Sequence, residues 1–589
     1  MQDYMRMINP SQLMADRGSN LVVINPGSAY VRIGLAREQT PFNIPHCIAR
    51  HVNESVASKF TIKDQFLNSQ ATRAQNLERE EVYRNIASSM KVQCMDEDAE
   101  DSPFPRKMGR VDGYNPQTNK VDTSFTLTNV MEKKHSSVFA VDDKVVEGKS
   151  DDLPTIAGVP VTLSDENYKD FVCGEDALRI SSNEPYCLCR PIRRGHFNVS
   201  QHYSPQEVSE DLYAIWNWIV IEKLHIPMAE RTQYSVILVV PETFDNREIR
   251  EMLSIVLRDL RFNSAAVHQE GFAATCGNGL ATACVVNLGA QVTSVVCVED
   301  GVVIPCTSIT LPFGGEDISR CLLWIQQYHQ TWPLLHTNPL VKPNDWVMLD
   351  KIKEYFCVIR EGEVDGVAVL HSYKEATSGS YNARLCSLNV PPMGLFYPRF
   401  LVPEEYPSPP RQWFHDHEDM LEDTWHAELP RRPDFMDGSF FGVNNGQTMY
   451  DNNLFYPTRV KEENLGLAEA IASSILSAGR LELQRKLFCS IQLIGGVALT
   501  RDLVAAVEER VLHAIPPNEA IDTVEVLQSR TDPSFVSWRG GAVLGILDFG
   551  RETWIPREEW IKRGIHVGSG RKYKDSYYLQ ALAMSFISS

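Results

Sequence analysis

The sequence predicts an α/β protein of two lobes, interrupted by two long insertions. Three observations predict it. The chain has 589 residues, about four times a typical single domain, which is too long for one core. Between residues 190 and 300, helical spacing alternates with short apolar strands, the pattern of helices layered on sheet. A strand, a turn built on Asn-x-Gly and a second strand occur near residue 25 and again near residue 287.

The elements follow in chain order. Residues 21–36 (LVVINPGSAYVRIGLA) read as a strand, a Pro-Gly-Ser turn and a strand, because apolar runs are bounded by turn residues. Residues 52–165 lack a repeating pattern and contain the acidic run 96–101 and a polar, turn-rich stretch at 109–124. They are expected to be an insertion projecting from the outer part of the first lobe. Residues 204–224 have helical spacing, with Ile215, Trp218, Ile219 and Glu222 about one turn apart. Residues 234–240 predict a buried strand ended by Pro241, residues 246–260 a second helix, and residues 265–268 a strand. Residues 284–303 repeat the opening device. Ile24-Asn25-Pro26-Gly27-Ser28-Ala29 and Val286-Asn287-Leu288-Gly289-Ala290-Gln291 share Asn and Gly in register. This suggests two homologous halves; because Asn-x-Gly turns are common, two unrelated hairpins are the alternative. Residues 403–461 are rich in Pro, Trp, Asp and Glu, with Trp413, Phe414, Trp425, Phe440, Phe441 and Phe455 among them. They form either a docking surface or a loop folded over its own protein.

Lys plus Arg is 57 against 76 Asp plus Glu, a formal charge of −19. Such a chain is a poor general binder of polyanions, so any nucleic-acid contact needs a local patch or a partner. The 13 cysteines are scattered without a C-x-x-C, which argues against a zinc ribbon or dithiol redox site and suits a reducing compartment. No signal peptide or spanning run is evident, so the chain is expected to be soluble and intracellular. The sequons at Asn53 and Asn198 then carry little meaning.

Converging turn amides hold phosphates without many basic side chains. Gly27-Ser28-Ala29 and Gly289-Ala290-Gln291 are small enough for close backbone approach, and glycine tolerates unusual torsions. Facing each other across a cleft, they would clamp a nucleotide from both sides, with Arg32 supplying a positive charge. The alternative is two ordinary hairpins and a surface arginine. His415, His417 and His426 lie among Asp416, Glu418, Asp419, Glu422 and Asp423, but loop histidines without a fixed outer shell make a poor metal site. Lys562, Arg563, His566, Arg571, Lys572 and Lys574 interleave with Tyr573 and Tyr577; they either touch phosphate or an acidic protein surface, or form a solvated tail.

Six motifs in one order carry a resemblance. Residues 21–28 (LVVINPGS) resemble the first phosphate loop of actins, and residues 284–293 (CVVNLGAQVT) the second. Residues 349–358 (LDKIKEYFCV) resemble the segment whose Lys and Glu meet adenosine, and Leu493-Ile494-Gly495-Gly496 the adenosine diglycine. Residues 537–544 (SWRGGAVL), followed by 554–560 (WIPREEW), resemble the closing strand-to-helix signature, and Pro191-Ile192-Arg193-Arg194-Gly195 the hinge neighbourhood. The chain therefore resembles the actin family through most of both lobes, and its insertions and Arg-Arg-Gly form are similar to the divergent nuclear branch.

The resemblance implies two actin-like lobes around a nucleotide cleft. A tail would span 1–18, a first lobe 19–285 with insertion 52–165, and a second lobe 286–537 with insertion 403–461; residues 538–589 would return to the first lobe. Nucleotide contacts would come from Asn25, Gly27, Ser28, Ala29, Arg32, Asn287, Gly289, Ala290, Gln291, Val292, Lys353, Glu354, Gly495 and Gly496. Departures bear on mechanism. Active actins place Asp at the positions of Asn25, Asn287 and Ala290 to hold a hydrated divalent cation and order the attacking water. Without those charges little remains to hold magnesium. Gln269 matches the water-orienting residue and is expected to persist as a vestige, for packing or hydrogen bonding. Thr500 replaces a Tyr and Ser534 a Lys on the adenosine side. ATP is expected to bind weakly or structurally, with negligible turnover and no catalytic residue.

The implied function is a non-catalytic scaffold in a nuclear ATP-dependent chromatin-remodelling complex. It would bind a helical segment of the motor subunit beside nuclear actin and other actin-related subunits, and nucleosomes or linker DNA, with roles in transcription regulation and DNA repair. The alternatives are a weak actin-like ATPase, an enzyme of the sugar-kinase or chaperone type sharing the cleft, and a cytoskeletal actin relative. Filaments are not expected, because the 52–165 insertion replaces the loop that joins neighbours in actin filaments.

Overall fold

The computed structural model describes residues 18–52, 67, 73–92, 169–180, 184–200, 202–332, 337–374, 377–401, 465–517, 519, 521–529, 531–547 and 554–563. The aromatic stretch 403–461, the histidines at 415–426 and the basic residues beyond Arg563 lie outside them. Among the described residues no helix is long and apolar enough to cross a membrane, and no cluster of three or more metal-ligating side chains occurs.

Strands β1 (Leu21–Pro26), β2 (Tyr30–Leu35), β3 (Phe42–Pro45), β4 (Ser235–Val240) and β5 (Ser264–Gln269) build the first sheet. Its order is Ile555–Pro556, β5, β4, β1, β2, β3. Strands β6 (Ala283–Leu288), β7 (Thr293–Glu299), β8 (Val302–Val303), β9 (Ile309–Leu311) and β10 (Ile491–Ile494) build the second, in the order β8, β7, β6, β10, with β9 also on β7. The same unit stands at the centre of each sheet. β1 pairs antiparallel with β2 and parallel with β4, and β6 pairs antiparallel with β7 and parallel with β10. Within it Asn25 faces Arg32, and Asn287 faces Ser294. Central strands covered on both faces read as unbroken apolar runs, which is why residues 21–24 and 283–286 carry no alternation.

Helices α1 (Arg73–Ser89), α2 (Pro205–Glu222), α3 (Glu270–Asn278), α4 (Gly315–Tyr328), α5 (Pro343–Phe356) and α6 (Val536–Ile546) cover the sheets. A capping box of Ser204 and Glu207 with Pro205 starts α2, satisfying end amides that have no partner within the helix. Its buried face carries Trp216 rather than Trp218, which is only half-buried; helical spacing cannot separate two tryptophans so close in sequence. Residues 246–254 form a helix that continues as a π-helical turn over Ile255–Asp259.

On β1, Val22 and Ile24 pack with α2, while Leu21 and Val23 pack with Trp538 and Ala542 of α6. The Trp538 indole donates to the Val23 carbonyl at 3.0 Å. A Cβ on Gly540 would lie 1.6 Å from the Ala273 carbonyl oxygen, and one on Gly541 would meet Val239 and Val23. The glycine pair thus lets α6 touch the backbone of α3 and the first sheet together.

The insertion after residue 52 does not simply project from the outer first lobe. Its chain leaves strand Ile48–His51 and returns at Phe171–Cys173, both in a small sheet with Tyr186–Cys189. In between, α1 packs on the second lobe. Tyr83, Ile86, Ala87 and Met90 join that lobe's core. The Tyr83 hydroxyl lies 2.7 Å from His329 Nε2 and 3.2 Å from Ser387 Oγ, and the Arg79 guanidinium stacks 4.6 Å over Trp324. Few of α1's side chains are apolar, so its buried face leaves a weak signal in sequence.

Candidate nucleotide cleft

The two repeated turns are superposable in their bonding. The Gly27 amide donates to the Tyr30 carbonyl at 3.0 Å, and the Gly289 amide to the Val292 carbonyl at 3.0 Å. A Cβ would sit 2.8 Å from the Tyr30 oxygen at Gly27 and 2.7 Å from the Val292 oxygen at Gly289. Close approach, and not a left-handed torsion, requires these glycines; neither has a positive φ.

Each loop is braced from behind by different means. His46 holds the first: its backbone amide donates to the Ala29 carbonyl at 2.9 Å, and its Nδ1 donates to the Gly27 carbonyl at 2.8 Å. The buried Trp216 indole donates to His46 Nε2 at 3.3 Å, which fixes the proton on Nδ1. Burial pushes this imidazole down to about 4, so it is neutral near pH 7. The start of α4 holds the second loop, the Gly315 and Glu316 amides donating to the Gly289 and Ala290 carbonyls at 3.0 and 2.7 Å. With their carbonyls tied back, the Ser28, Ala29, Ala290 and Gln291 amides have no hydrogen-bond partner among the described residues. Amides left in this way suit an anion.

Asn25 and Asn287, at the ends of β1 and β6, converge on one side chain. Asn25 Nδ2 donates to Glu270 Oε1 and Asn287 Nδ2 to Glu270 Oε2, both at 2.5 Å. Asn25 Nδ2 also donates to the Val239 carbonyl at 2.8 Å, and its Oδ1 accepts from Arg32 at 3.3 Å. Glu270 is only 5% exposed and begins α3, where the helix terminus favours negative charge. A second carboxylate, Glu242, accepts from the Gly271 amide at 2.5 Å and from Ser294 Oγ at 3.2 Å. Burial, and then the charge of Glu242, push the Glu270 carboxyl up to about 7, against the pull of Asn25, Arg32 and Asn287. Gln269 is buried beside it at the N-cap of α3.

Lys353 on α5 donates to the Gly315 carbonyl at 2.8 Å and pairs with Asp350 at 2.9 Å; Glu354 is exposed. Gly495, at φ 89°, packs against the end of β6, where a Cβ would stand 2.4 Å from the Leu288 carbonyl oxygen, whereas a Cβ on Gly496 would meet open space. Ser534 is turned back onto Asp532, its hydroxyl donating at 2.6 Å. Thr500 is half-buried beyond the diglycine turn.

One expected contact takes another role. The Gln291 side chain serves a latch between the lobes: its Oε1 accepts from the Arg194 amide at 2.7 Å and its Nε2 donates to Glu316 at 2.8 Å, so of this residue only the backbone amide faces the cleft without a partner among the described residues. Arg194 makes a two-pronged ion pair with Asp317 at 2.6 and 2.7 Å and also donates to the Gln291 and Pro312 carbonyls. Arg190 pairs with Glu316 at 2.7 Å. The Gly195 amide reaches Ser28 Oγ at 3.3 Å. Glu270, Glu242, His46 and this latch are absent from the sequence-based site; the one sequence cue was an acid directly after Gln269 at the end of a buried strand.

A divalent cation does not fit the side chains present. Both asparagines turn N–H donors, not lone pairs, toward the convergence point, both Glu270 oxygens are engaged, and Ala290 offers no ligand. Among the described residues that leaves between the loops only a carboxylate whose two oxygens already serve as acceptors, a poor set for magnesium, which requires oxygen ligands.

Two sheets with duplicated central hairpins whose glycine turns face one cleft define an actin-type fold, and the match to the actin family model over residues 149–571 shows that the chain belongs to the actin family. It is 55% identical over 593 residues to actin-related protein 9 of Oryza sativa subsp. japonica, covering all of both chains. It is 56% identical over 594 residues to actin-related protein 9 of Arabidopsis thaliana, covering 100% of this chain and 98% of that one. Actin-related protein 8 of Salmo salar is 26% identical over 612 residues, with 93% of this chain and 90% of that one covered. Among solved structures, human actin-related protein Arp8 in its ATP-bound state matches with a TM-score of 0.67 and 25% identity, over 95% of this chain and 97% of that one.

Proposed function

We propose that the chain is a non-catalytic actin-related scaffold subunit of a nuclear ATP-dependent chromatin-remodelling complex. In this reading it docks a helical segment of the motor subunit beside nuclear actin and other actin-related subunits, and contributes contacts to nucleosomes or linker DNA in transcription regulation and DNA repair. The observation that carries the non-catalytic part is the asparagine pair: the phosphate loops keep their backbone while the side chains at their ends point donors at Glu270. Similarity to actin-related proteins 8 and 9 supports the assignment to an assembly, and the ATP-bound state of human Arp8 supports ATP as the ligand. Bound nucleotide then stabilises the folded, closed shape by mass action without chemistry.

The side chains that would hold ATP are Arg32 and Lys353, with the amides of residues 28–29 and 290–291 around the phosphates and Gly495–Gly496 beside the adenosine. Steady-state ATP hydrolysis by the purified chain with magnesium tests the non-catalytic reading, which turnover at the level of ordinary actin would reject. Affinity capture from nuclear extract tests the assembly: a remodelling motor should co-purify, and recovery of cytoskeletal proteins alone counts against it. Glu270 beside Gln269 favours a second reading, a weak actin-like ATPase, which the same hydrolysis assay separates.

A further inference from the structure

We infer that Glu270 is the specificity-determining residue of the phosphate cradle: its carboxylate cross-links Asn25 of the first sheet to Asn287 of the second, and a triphosphate enters against that charge without help from a divalent cation. The inference rests on the nucleotide reading proposed above.

The geometry leaves little freedom. Asn25 cannot turn over, because its Nδ2 faces the Val239 carbonyl and its Oδ1 faces Arg32; only a donor can point from it at Glu270. Asn287 has Glu270 as its side-chain partner and can turn. Each Glu270 oxygen already accepts from an asparagine N–H, so a metal bound there would have to share its ligand oxygen with an arm of the clasp. Glu242 offers no substitute, being held by the Gly271 amide and Ser294. The charged groups facing Glu270 are Glu242 and Arg32, and Arg32 in turn faces Asp532. Arg32 Nε is buried without a partner, which leaves this guanidinium able to accept a further anion. The cradle therefore attracts phosphate through Arg32 and the loop amides and opposes it through one buried carboxylate.

Glu270→Gln separates charge from shape. The glutamine oxygen accepts from Asn25, and its amide donates to Asn287 once that side chain turns, so the clasp survives without its charge. ATP binding to the full chain is measured by titration calorimetry at pH 7.5, in EDTA and in excess magnesium. The wild-type dissociation constant should differ less than threefold between the two conditions, and E270Q should bind at least tenfold tighter in both. A larger magnesium effect on the wild type, or a smaller gain, no change or weakening in E270Q, overturns the inference while leaving a nucleotide site in place. Failure of both chains to bind ATP in either condition overturns the inference and the nucleotide reading together. Should E270Q not be recovered folded, wild-type binding is compared at pH 8.5 and pH 6.5 in excess magnesium, because the Glu270 carboxyl, pushed up to about 7 by burial and then by Glu242, takes up a proton between them. ATP should bind at least threefold tighter at pH 6.5, and a smaller gain, no change or a weakening overturns the inference.

Discussion

Replacing Arg194 with methionine keeps the aliphatic stem and removes the charge that latches the lobes. Asp317 is fully buried and accepts from both Arg194 terminal nitrogens, from the Gly314 amide at 2.8 Å and from Arg320. Stripping one partner from a buried pair costs about 3–5 kcal/mol when the remaining charge is left alone. Here Arg320 and the Gly314 amide remain, so the pair itself accounts for roughly 2 kcal/mol. The lost bonds to the Gln291 and Pro312 carbonyls add about 1 kcal/mol each at most. The sum is about 3 kcal/mol. Urea unfolding followed by intrinsic fluorescence reads this directly, because a slope above about 3 kcal/mol/M for a chain of this size turns it into a midpoint lowered by about 0.5–1 M. Arg194→Lys, which retains the charge but not the fork, should fall between. A methionine variant unfolding within 0.2 M of the wild type would refute the claim that this ion pair holds the lobes.

Two further outcomes follow from the same contacts. Burial pushes the Glu316 and Asp317 carboxyls up, but Arg190, Gln291 and Arg194 around Glu316, and Arg194 and Arg320 around Asp317, outweigh it and hold both below the usual range. Their contribution is thus fully present above the unfolded values of about 4 and is lost as pH falls through the lower folded ones; the wild-type urea midpoint should drop more steeply below pH 4 than that of R194M, and parallel curves would count against the latch. Gly540→Ala places a methyl 1.6 Å from the Ala273 carbonyl oxygen, against backbone, whereas Gly545→Ala meets only the side-chain ends of Leu21 and Ile237. The first should abolish recovery of folded chain and the second cost about 1–3 kcal/mol, and a normally folded G540A chain would show that α3 and α6 do not need their close crossing.

The parts of the fold that were legible in sequence are those encoded within a few residues. The hairpins at residues 21–36 and 284–303 announce themselves because a doubly covered strand is apolar throughout and its turn needs a small residue where Tyr30 or Val292 folds back. The cleft's chemistry was less legible because its decisive contacts are distant in the chain. Arg194 and Asp317 are 123 residues apart, and Asn25 and Glu270 are 245 apart; no spacing rule connects them. Glu270 in particular reads from sequence as an ordinary first-turn acid of a helix, and only its placement between two asparagines gives it a role. Helix α1 escaped for another reason: its buried face mixes a stacked arginine and a tyrosine with Ile86 and Ala87, too few apolar side chains to mark a stripe.

The asparagines and Glu270 make sense only as one arrangement. A donor is required at residue 25, since the Val239 carbonyl and a Glu270 oxygen lie 2.8 and 2.5 Å from the same nitrogen. Asn25→Asp would present an acceptor to two acceptors and set a third carboxylate beside Glu270 and Glu242, in a space where burial already drives Glu270 toward its neutral form. Asn287→Asp would likewise set an acceptor against the second Glu270 oxygen. An aspartate at either strand end and a glutamate at the start of α3 therefore exclude each other unless a cation or a proton lies between them. With Glu270 at the head of α3, amides at the ends of β1 and β6 close this cleft without metal, so the two asparagines and the one acid act as a single arrangement that joins the sheets.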